Sequence, residues 1–336
     1  MNGRVIKLDD PAIAASPARV ATSGLLAMDF SQAKSRALRN FITHPDQRIR
    51  LKAQFEFAKR SETLELLDIA ENSKSQMARI HALWGYGQLA RKRPSLAANL
   101  TALLADADPE IRAQAARVIG DSGNRALGAQ VAKLLDDESP RVRMSAGIAL
   151  HNVGNPDQLD AVSTMIRAND GKDRVLRHAG IMALSGIHDS GIATQLAEPQ
   201  ASEESFLVRI STDSSAELCR GAIVVMRNRH NPLVARYLND PDQRVATDAA
   251  RAIHDDLSIP EALPNLARTL GAGRDADEAY LRRAISANLR VGNSGCAIRL
   301  AAYAADERSP EAMRTEAIKT LSQWTKPDRL DRVQGW

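Results

Sequence analysis

Apolar and polar positions follow a helical period in the stretch "DADPEIRAQAARVIGD", which runs from Asp106 to Asp121. Its small or apolar stripe contains Ala113, Ala116 and Ile119, and Arg112 lies outside that stripe. This spacing predicts an amphipathic α-helix with a small-residue face. The apolar segment "LAANLTALLAD" comes before the turn "DADPE". Together these segments predict a hairpin of two helices.

The same pattern returns about every thirty residues, with an arginine near the start of the second helix in all but one repeat. These arginines are Arg50, Arg79, Arg112, Arg143, Arg177, Arg220, Arg282 and Arg314. Ala246, after "NDPDQRV", occupies the one slot without an arginine. A single hairpin cannot bury its apolar face, whereas a stack of three or more can. The period therefore predicts an all-α fold, an α-α superhelix of about eight to nine hairpins over residues 17–326.

Helix boundaries are marked by residue types with known terminal preferences. Prolines suit the first helical position and Asp or Ser suits the capping position before it. The predicted pairs are Asp108–Pro109, Ser139–Pro140, Asp240–Pro241 and Ser309–Pro310. Glycines are expected to end helices at Gly120, Gly123 and Gly154.

A weak strand signal, "GRVIKL" at residues 3–8, departs from the helical pattern. It is followed by a linker rich in Pro, Ala and Ser. We therefore expect residues 1–16 to form a lead-in strand and linker. Residues 327–336 are expected to form an exit segment after the array.

Composition narrows the class of protein. The chain has 336 residues with only 4% aromatic side chains, which favours many small helix interfaces over one large core. The net charge of +4 comes from interspersed basic and acidic residues, so a nucleic-acid partner is not favoured. Cys219 and Cys296 lie far apart and belong to no CxxC motif, so neither a disulfide framework nor a structural zinc site is expected.

Targeting signals do not stand out in the sequence. The first twenty residues lack the apolar core of a signal peptide, and no run has the roughly 18 apolar residues of a membrane helix. We expect a soluble chain without membrane insertion. The compartment and the oligomeric state are left open.

The repeated phrases resemble HEAT repeats, whose pattern is Asp-x-x-Pro-x-Val-Arg-x-x-Ala-x-x-x-Leu-Gly. "DADPEIRAQAARVIGD" and "DESPRVRMSAGIALHNVG" carry the closest match. In that family the turn aspartate and the second-helix arginine typically form a hydrogen-bonded ladder between neighbouring repeats. The resemblance implies this structural role for Asp106 with Arg112, Asp137 with Arg143, and Asp306 with Arg314. It implies the same role for Arg177 and a break in the ladder at Ala246.

Four phrases carry a finer resemblance, to the HEAT region of bacterial membrane-bound dehydrogenases of the haem-binding CxxCH type. They are "HPDQRIRLKAQFEFAKR", "ARIHALWGYGQLAR", "DRVLRHAGIMALSG" and "NDPDQRVATDAARAIHDD". The family implies a glucose/sorbosone-dehydrogenase-like β-propeller before the array and often a cytochrome c module after it. In that setting "GRVIKL" would be the last propeller strand, "KPDRLDRVQGW" would lead to the next module, and the location would be periplasmic.

A few side chains are candidates for partner binding. His81 and Trp84 are three residues apart on one predicted helix, so they would share a face. His178 follows the predicted ladder residue Arg177, and the two could bind an anion, which makes His178 a candidate contact for a partner. For all three the competing interpretation is repeat packing, since Trp is usually buried and Arg near a turn usually pairs locally.

Catalytic and metal sites are not indicated. His254, Asp255 and Asp256 are adjacent and would point to different faces of a helix, so they do not form a ligand set by themselves. Cys219 beside Arg220 has no Cys/His arrangement for nucleophilic catalysis. No catalytic, cofactor-binding or metal-binding residue and no cofactor is predicted.

Several functions remain open at this point. The period favours a non-catalytic scaffold for protein–protein interaction or domain positioning. The alternative is the spacer of a multidomain dehydrogenase, with a propeller or a cytochrome c module as its neighbour. A nucleic-acid binder is less favoured, because the only basic runs are "ARKRP" and "RNRH" at helix ends. A HEAT-like lyase that attaches bilins has no residue-level support.

Overall fold

The computed structural model describes residue 10 and residues 15–197, 210–272, 276–328 and 330–333. Sixteen α-helices and seven 3-10 segments account for the regular structure of these residues, and no strand occurs among them. The α-helices are α1 (Pro17–Ala27), α2 (Ser35–Phe41), α3 (Gln47–Lys59), α4 (Thr63–Asn72), α5 (Gln76–Ala90), α6 (Pro109–Ser122), α7 (Gly128–Ala132), α8 (Pro140–Val153), α9 (Leu159–Asn169), α10 (Arg174–Ala197), α11 (Ala216–Asn228), α12 (Gln243–His254), α13 (Leu263–Arg268), α14 (Glu278–Val291), α15 (Ser294–Ala305) and α16 (Glu311–Ser322). The 3-10 segments are Phe30–Gln32, Pro94–Ala105, Arg125–Leu127, Lys133–Asp136, Pro156–Gln158, Pro232–Asn239 and Pro260–Ala262.

The helices alternate as the sequence period predicts. Within the described residues nine helices begin at the predicted second-helix positions, and we call them the second helices: α3, α5, α6, α8, α10, α11, α12, α14 and α16. A first element, either an α-helix or a 3-10 segment such as Pro94–Ala105, comes before most of them. The predicted all-α class, an array of helical hairpins, is confirmed for the residues that the structure describes. The predicted lead-in strand at residues 3–8 lies outside the described residues.

The chain divides into two compact units, Met1–Gly154 and Asn155–Trp336, which we call unit 1 and unit 2. In unit 1 the second helices α3, α5, α6 and α8 pack side by side in chain order. Helix α6 also packs against the 3-10 segment Pro94–Ala105, so it has neighbours on three sides. Arg112, expected to lie outside the apolar stripe, is consequently buried together with Gln114.

The helix caps follow the prediction at one of the four proline turns. Pro109 is the first residue of α6, and the Asp108 carboxylate accepts a hydrogen bond from the Glu110 amide at 2.9 Å. Pro140 also starts its helix, but the Ser139 side chain caps no amide. There the Asp137 carboxylate accepts the Ser139 amide at 2.9 Å and holds the turn.

The other two proline turns enter the helix later than predicted. Helix α12 begins at Gln243 with Asp242 as its cap, so Pro241 lies in the preceding turn. Helix α16 begins at Glu311 and has Pro310 itself in the capping position. A proline is compatible with a turn as well as with the first helical position, because its φ angle suits both.

Gly120 was predicted to end a helix but lies inside α6, which continues to Ser122. A Cβ atom at this position would lie 2.6 Å from the Cα atom and 2.7 Å from the Cβ atom of Ala149 on α8. Glycine is therefore required by the close approach of two second helices rather than by a turn. The turn role belongs to Gly123, which ends α6 with a φ of 70° in the left-handed region.

Substitution of Gly120 by alanine is expected to lower the free energy of unfolding by about 1–3 kcal/mol, because α6 and α8 must separate. Urea unfolding followed by circular dichroism measures this change. Gly24 on α1 is the matched control, since a Cβ there has nothing within 4 Å. Gly24→Ala is expected to raise stability by about 0.5–1 kcal/mol through helix propensity. Equal effects of the two substitutions would contradict the close-approach argument.

Candidate binding surface

The predicted ladder exists in unit 1 with a different register. The Arg112 guanidinium pairs with the carboxylate of Asp137 in the next turn, with Nε–Oδ2 and Nη2–Oδ1 distances of 2.8 and 2.9 Å. Its other contact is the main-chain carbonyl of Asp106 in its own turn, at 2.8 Å. The Asp106 carboxylate instead accepts from Arg79 of the preceding repeat. Each such arginine therefore ties its own turn to the following one.

Two expected pairs do not form through their carboxylates. Arg143 donates to the main-chain carbonyls of Asp137 and Glu138, at 2.7 and 3.2 Å. Arg314 donates to the carbonyl of Ala304 at 3.0 Å, whereas the Asp306 carboxylate pairs with Arg308. Arg112, Arg143 and Arg314 share a contact with a main-chain carbonyl that precedes their own second helix, and of the three only Arg112 is also paired with a carboxylate of the next turn among the described contacts.

The environment of the ladder keeps its carboxylates ionised. Burial acts to raise the pKa of Asp137, but the Arg112 guanidinium and the Ser139 amide together hold that pKa below its usual value. The pKa of Asp106 is lowered in the same way, against the effect of burial, by Arg79 and the Asp108 amide. Stabilisation from these carboxylates is therefore present at neutral pH and is lost only in acid.

In unit 2 the ladder is altered but not simply broken. Ala246 is buried, and the adjacent Thr247 hydroxyl donates to the Asp277 carboxylate at 2.9 Å. The predicted ladder residue Arg177 faces the buried carboxylate of Glu217, with an Nε–Oε2 distance of 3.4 Å. Arg220 contacts the other oxygen of that carboxylate at 3.0 Å. Glu217, which lies within a second helix, therefore occupies the role that a turn aspartate has in unit 1.

His81, predicted as a partner-binding residue, is fully buried and cannot touch a partner. Its Nδ1 atom lies 2.8 Å from the Gln54 side-chain oxygen on α3. Burial, assisted by the charge of Arg50, lowers the pKa of His81 to about 4, so the ring is neutral at pH 7. The ring packs edge-on against Trp84, with centroids 5.1 Å apart. The role of His81 is to orient its neighbours.

Trp84 is the one of this pair that reaches the surface. The side chain is partly exposed, and its Nε1 atom donates to the Gln114 side-chain oxygen on α6 at 2.8 Å. Gln114 in turn donates to Glu110 at 2.7 Å. Arg141 of α8 pairs with the same glutamate at 2.5 Å. This polar chain joins three consecutive second helices, α5, α6 and α8, and fixes the indole in place.

A cavity of about 320 Å³ opens beside the indole. Its rim carries Arg91, Arg117 and Asp121, and Val118 contributes an apolar wall. Arg117 is exposed and has no ion-pair partner among the residues that the structure describes. A pocket with an aromatic wall and an unpaired cation at its edge suits an apolar side chain next to a carboxylate.

Two further second helices of unit 1 carry exposed apolar residues. Phe55 on α3 is 54% exposed and Ile148 on α8 is 40% exposed. We call Phe55, Trp84, Arg91, Arg117 and Ile148 the second-helix surface. Phe55 and Ile148 were not predicted from the sequence, although each is a large apolar residue outside the buried stripe of its helix. The third predicted contact, His178, is exposed on α10 in unit 2 and belongs to no such group.

Other chemistry finds little support in the described residues. No group of three or more His, Cys, Asp or Glu side chains there is arranged to hold a metal ion. His254 is buried against Asp255, with 3.0 Å between Nδ1 and Oδ1. Burial raises the pKa of Cys219 to about 12, which keeps it a protonated thiol at neutral pH. No helix among the described residues is long and apolar enough to span a membrane.

The two basic runs are largely paired with acids. In "RNRH", Arg227 binds Asp256 at 2.8 Å and Arg229 binds Asp189. In "ARKRP", Arg91 lies 3.5 Å from Asp121. These contacts leave fewer cations available to phosphate groups than the sequence alone indicates.

One known family matches part of the chain. The family described as HEAT repeats matches residues 96–185, a region that contains α6, α8, α9 and the start of α10. Within this match lie the Arg112–Asp137 rung and the Gly120 contact. No curated protein sequence matches the chain.

Several solved structures resemble the chain at 20% identity or less. An engineered protein is 16% identical, with 90% of this chain and 87% of that chain covered and a TM-score of 0.41. The complex of CpcE and CpcF of phycocyanin lyase from Nostoc sp. PCC7120 is 20% identical, with 77% and 86% covered and a TM-score of 0.37. Kap95p in complex with RanGDP is 13% identical, with 95% and 52% covered and a TM-score of 0.43.

Proposed function

We propose that the protein is a non-catalytic HEAT-repeat scaffold that holds a protein partner on the second-helix surface of unit 1. The observation that carries this proposal is Trp84, an indole held by Gln114 beside an open cavity of about 320 Å³. Aromatic and arginine side chains in preformed pockets dominate binding at protein interfaces. The sequence period supports the same function, since stacked hairpins present side chains along one extended surface.

The chemistry of the surface specifies the partner. Trp84, Phe55 and Ile148 offer apolar contacts, whereas Arg117 adds positive charge at the cavity rim, where Arg91 lies 3.5 Å from Asp121. A protein segment that inserts an apolar side chain beside the indole and places a carboxylate near Arg117 fits both features. Such a segment gains apolar burial at its centre and a charge pair at the rim, the usual arrangement of a binding site.

The test is affinity purification from the native host followed by mass spectrometry, with binding of the identified partner then measured for variants. Trp84→Ala is expected to weaken binding about 30-fold or more. Arg117→Glu reverses an exposed charge without disturbing the core and is expected to weaken binding about 10-fold. Trp324→Ala in unit 2, where the indole is also partly exposed, is the matched control and is expected to bind as the wild type does.

Two outcomes would contradict the proposal. Equal binding by the Trp84→Ala and Trp324→Ala variants, both folded by circular dichroism, would remove the second-helix surface from the interface. Redox turnover by the purified chain without any partner would contradict a non-catalytic role.

A spacer in a multidomain dehydrogenase is the second candidate function, supported by the four sequence phrases that resemble that family. In this role the array would hold a propeller active site near a cytochrome c module. The DNA on either side of the reading frame tests it directly. A propeller sequence upstream and a CxxCH motif downstream are expected; their absence would contradict the spacer function while leaving the scaffold proposal intact.

A further inference from the structure

Residues 327–333, where described, lie across the second helices α14 and α16 of unit 2. We call this part of the chain the C-terminal segment. Asp331 contacts α14, and Arg332 contacts α16. The segment is therefore a short piece of non-helical chain docked on two neighbouring helices, as an added peptide would be.

The helices beneath the segment present two polar stripes. Arg282, Ser286 and Arg290 are spaced by four residues on α14, so they share one face. Glu316 and Thr320 have the same spacing on α16. We call the channel between these stripes the α14–α16 groove. Leu257 and Leu289 contribute the apolar part of its lining.

Two adjacent residues of the segment are recognised by opposite charges. The Asp331 carboxylate accepts from Arg290 at 2.7 Å and from the Ser286 hydroxyl at 3.1 Å. The Arg332 guanidinium donates to both oxygens of Glu316, at 2.7 and 2.9 Å. The Asp331 side chain is only 14% exposed, so its pair with Arg290 is shielded from water. The two polar stripes therefore fit an acidic residue followed by a basic one.

The environment of Asp331 agrees with that geometry. Burial acts to raise its pKa, but the Val333 amide and the Arg290 guanidinium lower it below the usual value. The carboxylate is therefore charged at neutral pH. The neighbouring His254 ring also lies near, with Nε2 3.8 Å from the carboxylate.

The segment fills the groove incompletely. A space of about 390 Å³ remains between the segment and the helices. Leu330, the large apolar residue of the segment, is 62% exposed and adds little packing. Charge pairs therefore provide most of the attraction, and a peptide that also fills the apolar space beside Leu257 and Leu289 would bind more tightly.

We propose that the α14–α16 groove is a second binding site, for an extended protein segment that contains an Asp-Arg pair followed or preceded by an apolar residue. The chain's own C-terminal segment occupies the groove as an internal competitor. The site goes beyond the proposed scaffold surface, because every residue of the groove lies in unit 2 and the second-helix surface lies in unit 1.

The experiment titrates fluorescein-labelled peptides into the full chain and follows fluorescence anisotropy. The probe is "RLDRVQG", the sequence of residues 329–335. Its matched control is "RLRDVQG", which has the same composition with the charged pair reversed. The protein that receives the peptide, which we call the host, is the double variant Asp331→Ala/Arg332→Ala. Its C-terminal segment can no longer form the ion pairs with the groove. Arg332→Gln, a single change at a partly exposed side chain, serves as a second host.

The probe is expected to bind the double variant at least about 10-fold more tightly than it binds the wild type, because a tethered competitor acts at high effective concentration. The reversed peptide is expected to bind the double variant at least about 10-fold more weakly than the probe. Adding Arg290→Glu and Glu316→Arg to the double variant is expected to exchange these preferences.

Three results would overturn the proposal. They are no binding of the probe to either folded host, equal binding of the probe and the reversed peptide, and equal affinity of the wild type and the double variant. Each of these would make the C-terminal segment a structural cap of the last repeat. Circular dichroism of every variant establishes that it is folded, and no outcome depends on the surface of unit 1.

Discussion

Replacement of Arg112 by alanine is expected to lower the free energy of unfolding by about 3–5 kcal/mol. Both side chains of the Arg112–Asp137 pair are about nine-tenths buried, so removing the guanidinium leaves the Asp137 carboxylate without its main counter-charge. The same change removes the bond to the Asp106 carbonyl. The measurement is urea unfolding at neutral pH, where the carboxylate is ionised.

Arg143→Ala is the matched control for Arg112→Ala. Arg143 has the equivalent position on the next second helix and donates only to main-chain carbonyls of its own turn among the described contacts. We expect Arg143→Ala to lower the free energy of unfolding by no more than about 2 kcal/mol. Arg112→Lys should fall between the two, because a lysine keeps the charge but cannot form the two-point contact with a carboxylate. Equal losses for Arg112→Ala and Arg143→Ala would show that the rung between repeats contributes nothing beyond the turn contact.

The ladder illustrates what the sequence could and could not predict. The period places an arginine and an aspartate in nearly every repeat, and the resemblance to HEAT repeats assigns them a shared role. The choice of partner depends on the offset between stacked repeats, which is a tertiary distance. Arg112 therefore reaches Asp137 of the following turn rather than the Asp106 carboxylate of its own turn. In unit 2 Glu217, which no turn motif contains, became the partner of Arg177.

Local signals were reliable where a residue has one structural use. Gly123 ends α6 in the left-handed region, as a glycine after a helix should. Gly120 is also a glycine, but its role is to let α6 approach α8 closely. Only the position of Ala149 in the folded protein reveals this role. Likewise Pro109 starts a helix whereas Pro241 belongs to a turn. Residues with two uses are assigned by packing rather than by their immediate neighbours.

Only part of the candidate site was predicted from the sequence, because the rest depends on how the helices pack. Helical spacing placed His81 and Trp84 together, and the two rings are in contact. Spacing did not reveal that α5 is packed between α3 and α6, so that only Trp84 lies near the surface. The cavity beside Trp84 needs Arg117 and Asp121 of α6 as well, and these residues carry no sequence signal of their own.

Acidification from about pH 6.5 to about pH 4 is expected to remove roughly 3 kcal/mol of stability through His81 alone. Burial lowers the pKa of the folded His81 to about 4 from an ordinary value of 6.5. Above pH 6.5 both states hold a neutral ring and the contribution is constant. Below it the unfolded chain binds a proton that the folded chain does not, so stability falls by about 1.4 kcal/mol for each pH unit until the folded ring also protonates.

The effect of His81 is recognised by the pH dependence of the unfolding free energy rather than by its value at one pH. His81→Gln is expected to flatten the dependence of the unfolding free energy on pH between 6.5 and 4 by about one proton, whatever packing it loses at neutral pH. Urea midpoints at several pH values for the wild type and for His81→Gln measure this slope. An unchanged slope in His81→Gln would mean that the buried ring binds a proton as readily as it does in the unfolded chain. That result would contradict the conclusion that Trp84 packs against a neutral imidazole. A flattened slope would instead show that the imidazole against which the indole packs resists protonation in the folded protein.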